Sequence, residues 1–416
     1  MKLSRDLQII YSLAILEAIL LIVGPGAKYM DEIDTLSYMD AWECFSNGTI
    51  DLLRTPVYPA IIGILKELCG IPTCYWITIF IQHLVFLFSI GIFYSTISNF
   101  VKSERISFWI TLFYATFPAY TFNNNWILTQ SFALSGCVFL IYTIVKLRKS
   151  PTIVNGTLFT SLLLFLLFLR PGYLYLLPVL AVSWFLCFLK KERKAAAIGI
   201  AGVLITTSCA LCYMKAFEKQ YGLFAFSGIG VRNQFFIAQD AGFLDTSSKL
   251  VKGYNDTYDE VYPRHHNWAE VDRFFYAKYS LAEVNDTVTK AFHQDPVRWA
   301  VFCYDRLCKT ALEPLTELFQ IRYKGQLIHI IGPLVNSVYV FILLYTILLI
   351  QWIRIKKRIP WLSSFLYMSL ISNIITTVVG APNGAYLLPA TPFYLLLLGQ
   401  FLYHIKITPT KDIELR

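Results

Sequence analysis

The stretch LQIIYSLAILEAILLIVG, Leu7–Gly24, decides the fold class of this chain. Its apolar run is long enough to cross a hydrocarbon core of about 30 Å, since a helix rises about 1.5 Å per residue. A charged loop follows it without a convincing small-x-small cleavage site, which a secretory signal peptide would need. The sequence therefore predicts a retained first membrane span.

The composition of the whole chain also indicates a membrane protein. Of its 416 residues 56% are hydrophobic, the mean hydropathy is +0.53, and there are 32 Phe and 26 Tyr, values outside the range of soluble globular chains. The same length criterion predicts an all-α polytopic membrane protein with about ten transmembrane helices. The predicted spans are residues 7–24, 73–100, 106–122, 126–145, 152–169, 172–189, 195–214, 329–353, 361–380 and 385–405.

Basic residues predict the orientation of these spans. With a cytoplasmic N-terminus, the inner connections carry the basic clusters at residues 102–105, 146–149, 190–194 and 354–358. The short outer connections hold only Lys28, Arg54, Lys66 and Arg170. Most of the net charge of +9 therefore reflects the orientation of the spans. The basic residues are divided into short clusters between spans, which argues against a nucleic-acid partner.

One long polar segment, residues 215–328, separates the predicted spans into two groups. We therefore expect an N-terminal transmembrane module (1–214) with its first outer loop at 25–72, a mainly helical extracytoplasmic loop domain (215–328), and C-terminal transmembrane helices (329–416). Within the loop domain, His265 and His266 are weak candidates for a metal site, because no second pair of ligands accompanies them.

Polar residues interrupt the apolar runs mainly at the predicted outer face. The interruptions are LLRTPVYPA (Leu52–Ala60), NNNWILTQS (Asn123–Ser131), LRPGYLYLLP (Leu169–Pro178) and APNGAYLLP (Ala381–Pro389). A charge within hydrocarbon costs about 2.5–3.5 kcal/mol on insertion scales, so such groups are retained where they have a partner or a ligand. We therefore expect the functional site at this face.

The densest acidic cluster follows the first span, in MDEIDTLSYMDAW, Met30–Trp42. Its acids are Asp31, Glu32, Asp34 and Asp40. If the segment is helical, Asp34, Tyr38 and Ala41 share one face of an amphipathic juxtamembrane helix. Two interpretations stay open: these acids cap the helix and hydrate the end of the span, or one of them is a general base facing a lipid-borne substrate.

These motifs together resemble a known family. The order D…Y..A, a following Gly48 and then RTPVYP opening a second amphipathic helix occur in the first loop, and LTQS, RPGYLYLLP and YLLPATPFYLLLLG follow in that order. The pattern is similar to that of polyprenol-phosphate-sugar glycosyltransferases of the GT-C fold, the superfamily of protein O-mannosyltransferases and the aminoarabinose transferase of lipid A. The resemblance covers roughly residues 1–190 and 329–405, and reaches the 215–328 loop only through its position and size.

The resemblance implies roles for individual residues. It implies that Asp34 is the catalytic base, with Asp31 and Glu32 as its neighbours, as metal contacts or, in a shifted register, as the base. The implied substrate-binding residues are Arg54, Tyr58, Tyr38, Gln130, Arg170, Tyr173 and Tyr386. Gln130 stands where relatives commonly have an acid, so a divalent metal is an open alternative to a site without cofactor. Ala385 stands before Tyr386 where relatives have Arg, which removes one expected phosphate-binding cation.

The chemistry of such a transfer needs few groups. A sugar on a lipid phosphate already has a good leaving group, so the enzyme needs a base for the acceptor hydroxyl and cations for the departing phosphate. Arg54 and Arg170 lie at the outer ends of apolar segments, and a guanidinium binds phosphate through two parallel hydrogen bonds. The alternative is that both arginines are interfacial anchors.

The sequence thus predicts a membrane glycosyltransferase, in the inner membrane of a bacterium, that uses a polyprenyl-phosphate-sugar donor. The acceptor would be a hydroxyl of a glycan, lipid or protein on the extracytoplasmic face. One alternative is an O-antigen-type polymerase of lipid-linked glycans, whose signature charges we expect in late outer loops. Another is a secondary transporter, whose polar residues we expect near the bilayer midplane in two repeated halves.

Overall fold

The computed structural model describes residues 4–24, 26, 34–101, 103–190, 192–312, 346, 350, 361–380 and 390–407. Every regular element within these ranges is a helix. The helices of the first half are α1 (Arg5–Val23), α2 (Thr35–Ser46), α3 (Val57–Cys69), α4 (Ile71–Val101), α5 (Glu104–Thr116), α6 (Pro118–Thr121), α7 (Gln130–Lys149), α8 (Ile153–Leu169) and α9 (Leu176–Leu189). Those that follow are α10 (Arg193–Tyr221), α11 (Ile229–Asp240), α12 (Lys249–His265), α13 (Trp268–Lys278), α14 (Leu281–Gln294), α15 (Pro296–Leu312), α16 (Trp361–Gly380) and α17 (Thr391–Ile407).

Five helical stretches of the described chain are long and apolar enough to cross a membrane: Arg5–Val23, Ile71–Val101, Gln130–Lys149, Pro171–Leu189 and Arg193–Tyr221. Three shorter apolar helical segments accompany them, at Ile153–Leu169, Ser363–Thr376 and Thr391–Tyr403. Large apolar side chains such as Leu20, Phe88 and Leu204 stay more than half exposed on these helices. Extended exposed apolar surface of this kind is unfavourable in water. The fold is therefore compatible with a multi-pass membrane protein.

Some predicted spans differ from the observed helices. The predicted span 106–122 is interrupted, because α5 ends at Thr116 and Phe117 takes an extended conformation. Phe117 precedes Pro118, and the proline ring disfavours a helical conformation for the residue before it. Of the other predicted spans, 329–353 and the start of 385–405 lie outside the described residues, apart from positions 346 and 350.

A polar turn between α6 and α7 anchors the end of α1. The turn is a 3₁₀ helix, Phe122–Asn125. The Asn125 amide nitrogen donates to the Leu21 and Gly26 carbonyls at 2.8 and 2.7 Å, so it satisfies acceptors that the helix end leaves open. The Asn125 side-chain oxygen in turn lies 3.0 Å from Nε2 of His83 on α4. This anchor fixes the point at which α7 begins with Gln130.

The segment after α2 connects two hydrophobic cores. The larger core lies among the apolar helices, and the smaller one lies among helices α11–α14 and the end of α10. Leu52 and Leu53, from the first loop, are buried in the smaller core. The backbone N–H of Gly228 donates to the Leu52 carbonyl at 2.7 Å. The first loop is thereby packed against the helices of the 215–328 segment.

Short polar residues start the helices of this smaller core. Ser248 caps α12 by accepting from the Val251 N–H, Asn267 caps α13 by accepting from Ala269 N–H, and Ser280 caps α14 in the same way. Such caps typically contribute about 1 kcal/mol each, because they satisfy donors that the first turn leaves open. The caps fix where α13 starts, and α13 carries the charged residues that meet the first loop.

Arg273 on α13 joins the smaller core to the first loop. It donates to Asp51 at 3.0 Å and to Asp40 at 3.3 Å, and it forms a close ion pair with Glu270 on its own helix. Burial by itself lowers the pKa of Arg273, but the carboxylates of Asp51 and Glu270 outweigh it and the net shift is upward. Asp40 shows the opposite balance, because burial raises its pKa more than Arg273 lowers it. Arg273 therefore neutralises carboxylates that could not stay buried without it.

We predict that Arg273→Met lowers the free energy of unfolding in detergent by about 3–5 kcal/mol, the usual cost of leaving a buried charge without its partner. Asp51 is the decisive group, since it is only 1% exposed. Lys290→Met is the matched control, because Lys290 pairs with Asp286 in a solvent-exposed pair, and we expect it to cost roughly 0–1 kcal/mol. Equal losses in the two variants, measured by denaturant titration, would contradict the role of Arg273.

Candidate functional site

A cavity lies where the first loop, the ends of the apolar helices and the smaller core meet. Its volume is about 450 Å³, within the range of sites for small molecules. The walls come from the start of α2, residues 53–55, the start of α7, the turn Pro171–Tyr175, helices α11 and α13, and α16. The cavity thus combines segments that are more than two hundred residues apart in the sequence.

Six of the predicted site residues line this cavity. They are Asp34, Tyr38, Arg54, Gln130, Arg170 and Tyr173. They come from three separate motifs, the first loop, the start of α7 and the turn after α8. The Oε1 atom of Gln130 is buried and has no hydrogen-bond partner among the described residues, so it is available to a ligand. The structure therefore brings together residues that the sequence placed only on the same face.

Arg54 is a cation of the cavity that contacts three residues at the start of α2. Its Nη2 forms a close ion pair with Asp34, its Nε donates to Ser37 Oγ at 2.8 Å, and its Nη1 donates to the Tyr38 hydroxyl at 3.3 Å. The guanidinium also lies 4.3 Å from the centre of the Tyr38 ring, which favours a cation there. Three contacts from one helix turn hold the guanidinium in a fixed orientation.

The position of Asp34 bears on its two interpretations. Asp34 occupies the N-cap position of α2, as the sequence predicts, but its side chain makes no capping hydrogen bond. The carboxylate instead pairs with Arg54, and the backbone carbonyl of Asp34 accepts from Ser37 Oγ at 2.7 Å. The side chain of Asp34 therefore lies in the cavity, paired with Arg54, and does not cap the helix.

Asp51 orients Arg54 through a hydrogen bond to its backbone, and the sequence alone did not single out Asp51. Its Oδ1 accepts the backbone N–H groups of Leu53 and Arg54 at 2.9 and 2.7 Å, a local turn that Asp side chains favour. Its Oδ2 accepts from Arg273. The signal available in the sequence was an Asp three residues before Arg54 in a loop between apolar segments.

Arg170 enters the cavity from the turn between α8 and α9. Its backbone is extended, as expected for a residue that precedes a proline, and this ends α8 at Leu169. The following turn, Pro171–Tyr175, lines the cavity through Gly172 and Tyr173. A Cβ atom built on Gly172 would meet no other atom within 4 Å, so this stretch of wall is open. The turn holds a second guanidinium on the same cavity as Arg54.

Helices α11 and α13 contribute to the cavity a charged pair that the sequence alone did not reveal. Arg232 on α11 donates through Nε to Asp272 on α13 at 2.6 Å, and both residues line the cavity. Burial raises the pKa of Asp272, and Arg232 opposes this shift. A signal existed, because Asp272 stands four residues after Trp268 and three before Phe275, on the apolar face of an amphipathic helix. An acid on such a face indicates a buried partner or a site.

Other predicted site residues lie elsewhere. Tyr58 is fully buried beneath the cavity, where its hydroxyl donates to Gln82 at 3.1 Å and its ring packs edge-on against Tyr38, so it supports the wall without lining it. Asp31, Glu32 and Tyr386 lie outside the described residues. His265 and His266 are exposed at the end of α12. The described part of the chain holds no group of three His, Cys, Asp or Glu side chains suited to a metal ion.

Comparisons with known proteins leave the family open. No protein-family model matches this chain, and no curated protein matches it in sequence. The similarity to GT-C glycosyltransferases therefore rests on the motifs of the sequence alone and stays a prediction.

Proposed function

We propose that this protein is a membrane glycosyltransferase that moves a sugar from a polyprenyl-phosphate donor to an acceptor hydroxyl. The observation that carries the proposal is one cavity in which Arg54, Arg170 and Asp34 lie together at the ends of apolar helices. Two guanidinium groups suit a lipid phosphate, and a carboxylate suits the proton of a hydroxyl acceptor. The apolar helices beside the cavity suit the hydrocarbon chain of the donor.

The proposed orientation puts this cavity outside the cytoplasm, in a fold of ten spans with residues 215–328 in an extracytoplasmic loop domain. Helix α7 supports this orientation, since Gln130 at its first residue lines the cavity and Lys146, Arg148 and Lys149 lie in its last turn. A helix of this length separates its ends by roughly 25–30 Å, about the thickness of a hydrocarbon core. Basic residues favour the cytoplasmic side, in a bacterium that of the inner membrane.

In the proposed reaction, Arg54, Arg170 and Asp34 each have a separate role. The donor phosphate binds Arg54 and Arg170, and Asp34 takes the proton of the acceptor hydroxyl. The acceptor oxygen forms a bond to the anomeric carbon while the bond from that carbon to the phosphate oxygen breaks. The electron pair leaves with the polyprenyl phosphate, whose growing negative charge the two arginines stabilise. The acceptor is a glycan, a lipid or a protein.

We predict that a reporter inserted among residues 249–294 is extracytoplasmic, whereas one inserted at Ser150, after the basic end of α7, is cytoplasmic. The physical reason is the charge bias between the two ends of α7. Fusions to an enzyme that is active on only one side of the membrane would measure this. A cytoplasmic signal from the 249–294 insertions would remove the basis for an extracytoplasmic site.

We predict that Asp34→Asn lowers turnover by roughly 10²–10⁴-fold, because the amide cannot accept the acceptor proton. The assay incubates purified protein with a panel of polyprenyl-phosphate monosaccharides and measures release of polyprenyl phosphate. Glu43→Gln, at an exposed carboxylate of the same helix, is the matched control and should keep wild-type turnover. Unchanged turnover in Asp34→Asn would exclude Asp34 as the base, and no release with any wild-type donor would contradict the proposed function.

We predict that Arg54→Ala and Arg170→Ala each weaken donor use by about 1.5–3 kcal/mol, the range for a hydrogen bond to a charged group. Lysine at either position should restore only part of the loss, since it lacks the planar fork. Lys66→Ala is the control, because Lys66 lies in the same outer loop and pairs with exposed Glu43. Normal donor use in both alanine variants, at normal protein levels, would identify the arginines as anchors.

A further inference from the structure

The two walls of the cavity differ in charge. The first wall carries Arg54, Arg170 and Asp34, two cations against one carboxylate. The second wall, on α11 and α13, carries one cation and one carboxylate, Arg232 and Asp272, joined at 2.6 Å. An anion is therefore drawn to the first wall, and the second wall offers hydrogen bonds without a net charge.

Two polar atoms of the cavity lining are buried without a hydrogen-bond partner in the described chain. Ser227 is 6% exposed, it lines the cavity, and its Oγ makes no hydrogen bond to any described residue. The Oδ1 atom of Asn373, which enters the same cavity from α16, is also buried without a partner in the described ranges. Buried polar atoms are normally satisfied, so unsatisfied ones beside a cavity indicate a hydrogen-bonding ligand.

Two further residues shape this wall for a ring. Trp268 lines it, and its indole is held in place by Tyr258 and Tyr262, whose ring centres lie 4.7 and 5.2 Å away. Gly230 also lines it, and a Cβ atom built there would meet nothing within 4 Å. A fixed aromatic ring, a short open stretch of backbone and several hydrogen-bonding groups suit a saturated ring with an apolar C–H face and many hydroxyl groups.

Asp272 differs from the other polar residues of this wall, because it is buried and holds Arg232 in place. Its side chain is only 2% exposed, and besides Arg232 it accepts from the Tyr254 hydroxyl at 3.4 Å. It therefore holds the Arg232 guanidinium at the wall and contributes little surface of its own. Asp272 is a positioning residue, whereas Arg232, Ser227 and Asn233 present donors and acceptors to the cavity.

We propose that this second wall, defined by Ser227, Gly230, Arg232, Asn233 and Trp268, binds the sugar of the donor while the first wall binds its phosphate. This inference rests on the proposed glycosyl transfer and adds the place of the sugar. A neutral polyhydroxylated ring matches a wall without net charge, and a phosphodiester matches the wall with the excess cation. The two walls line one cavity of about 450 Å³, so the two parts of a single ligand can occupy both.

The two open glycines provide a test. Leucine at Gly230 fills space at the second wall, and leucine at Gly172 fills space at the first, and neither new Cβ meets a protein atom within 4 Å. The measurement is the binding of undecaprenyl phosphate and of a panel of undecaprenyl-phosphate monosaccharides to the purified full-length protein. We expect Gly230→Leu to weaken binding of the preferred sugar-bearing ligand at least ~10-fold and to change binding of undecaprenyl phosphate less than ~2-fold. We expect Gly172→Leu to weaken both ligands.

Asn233→Ala provides a second variant that does not add bulk. The Asn233 side chain makes no hydrogen bond to another described residue, so its removal should leave the thermal unfolding temperature unchanged and lower only the affinity for the sugar-bearing ligand. Equal effects of Gly230→Leu and Asn233→Ala on both ligands would overturn the sugar assignment. Wild-type protein that binds undecaprenyl phosphate no less tightly than every sugar-bearing ligand would also overturn it. Wild-type protein that binds none of these lipids would instead contradict the proposed function.

Discussion

A single buried carboxylate, Asp51, holds the parts of the cavity together. One of its oxygens fixes the backbone of Arg54, and the other accepts from Arg273 on α13. The first wall and the second wall are therefore attached to the same side chain, one directly and the other through the helix that also bears Asp272. Removing Asp51 from water is unfavourable unless both sets of hydrogen bonds form, so the two walls assemble together.

The need to pair buried charges also applies to the other charged residues that line the cavity. Arg54 is paired with Asp34 and Arg232 with Asp272, and each pair joins different parts of the sequence. Paired charges avoid most of the cost of burial, although a pair adds little net stability by comparison with apolar packing. Two such pairs line one cavity, which is consistent with the proposed binding role, because paired charges gather at functional sites.

The sequence predicts the first wall better than the second, for a physical reason. Arg54, Arg170 and Gln130 lie next to long apolar runs, and the membrane confines such residues to one plane, so they could be assigned to one face without a structure. Arg232 and Asp272 lie in a polar segment without long apolar runs, so only tertiary packing brings them to the cavity. The break at Phe117 has a local cause, because a proline disfavours a helical conformation for the residue before it. A count of apolar residues does not include this effect. The roles of Asp31, Glu32 and Tyr386 stay predictions, since they lie outside the described residues.

The pairing of Asp34 with Arg54 places a condition on the proposed chemistry. In the proposed reaction, the donor phosphate binds the guanidinium that already holds the Asp34 carboxylate. A donor phosphate competes with Asp34 for the same guanidinium, and Ser37 and Tyr38 keep that guanidinium in place through contacts that do not involve Asp34. Arrival of the phosphate would then release the carboxylate toward the acceptor without moving the arginine. In that reaction, donor binding therefore frees the carboxylate that takes the acceptor proton, and both steps depend on the position of one guanidinium.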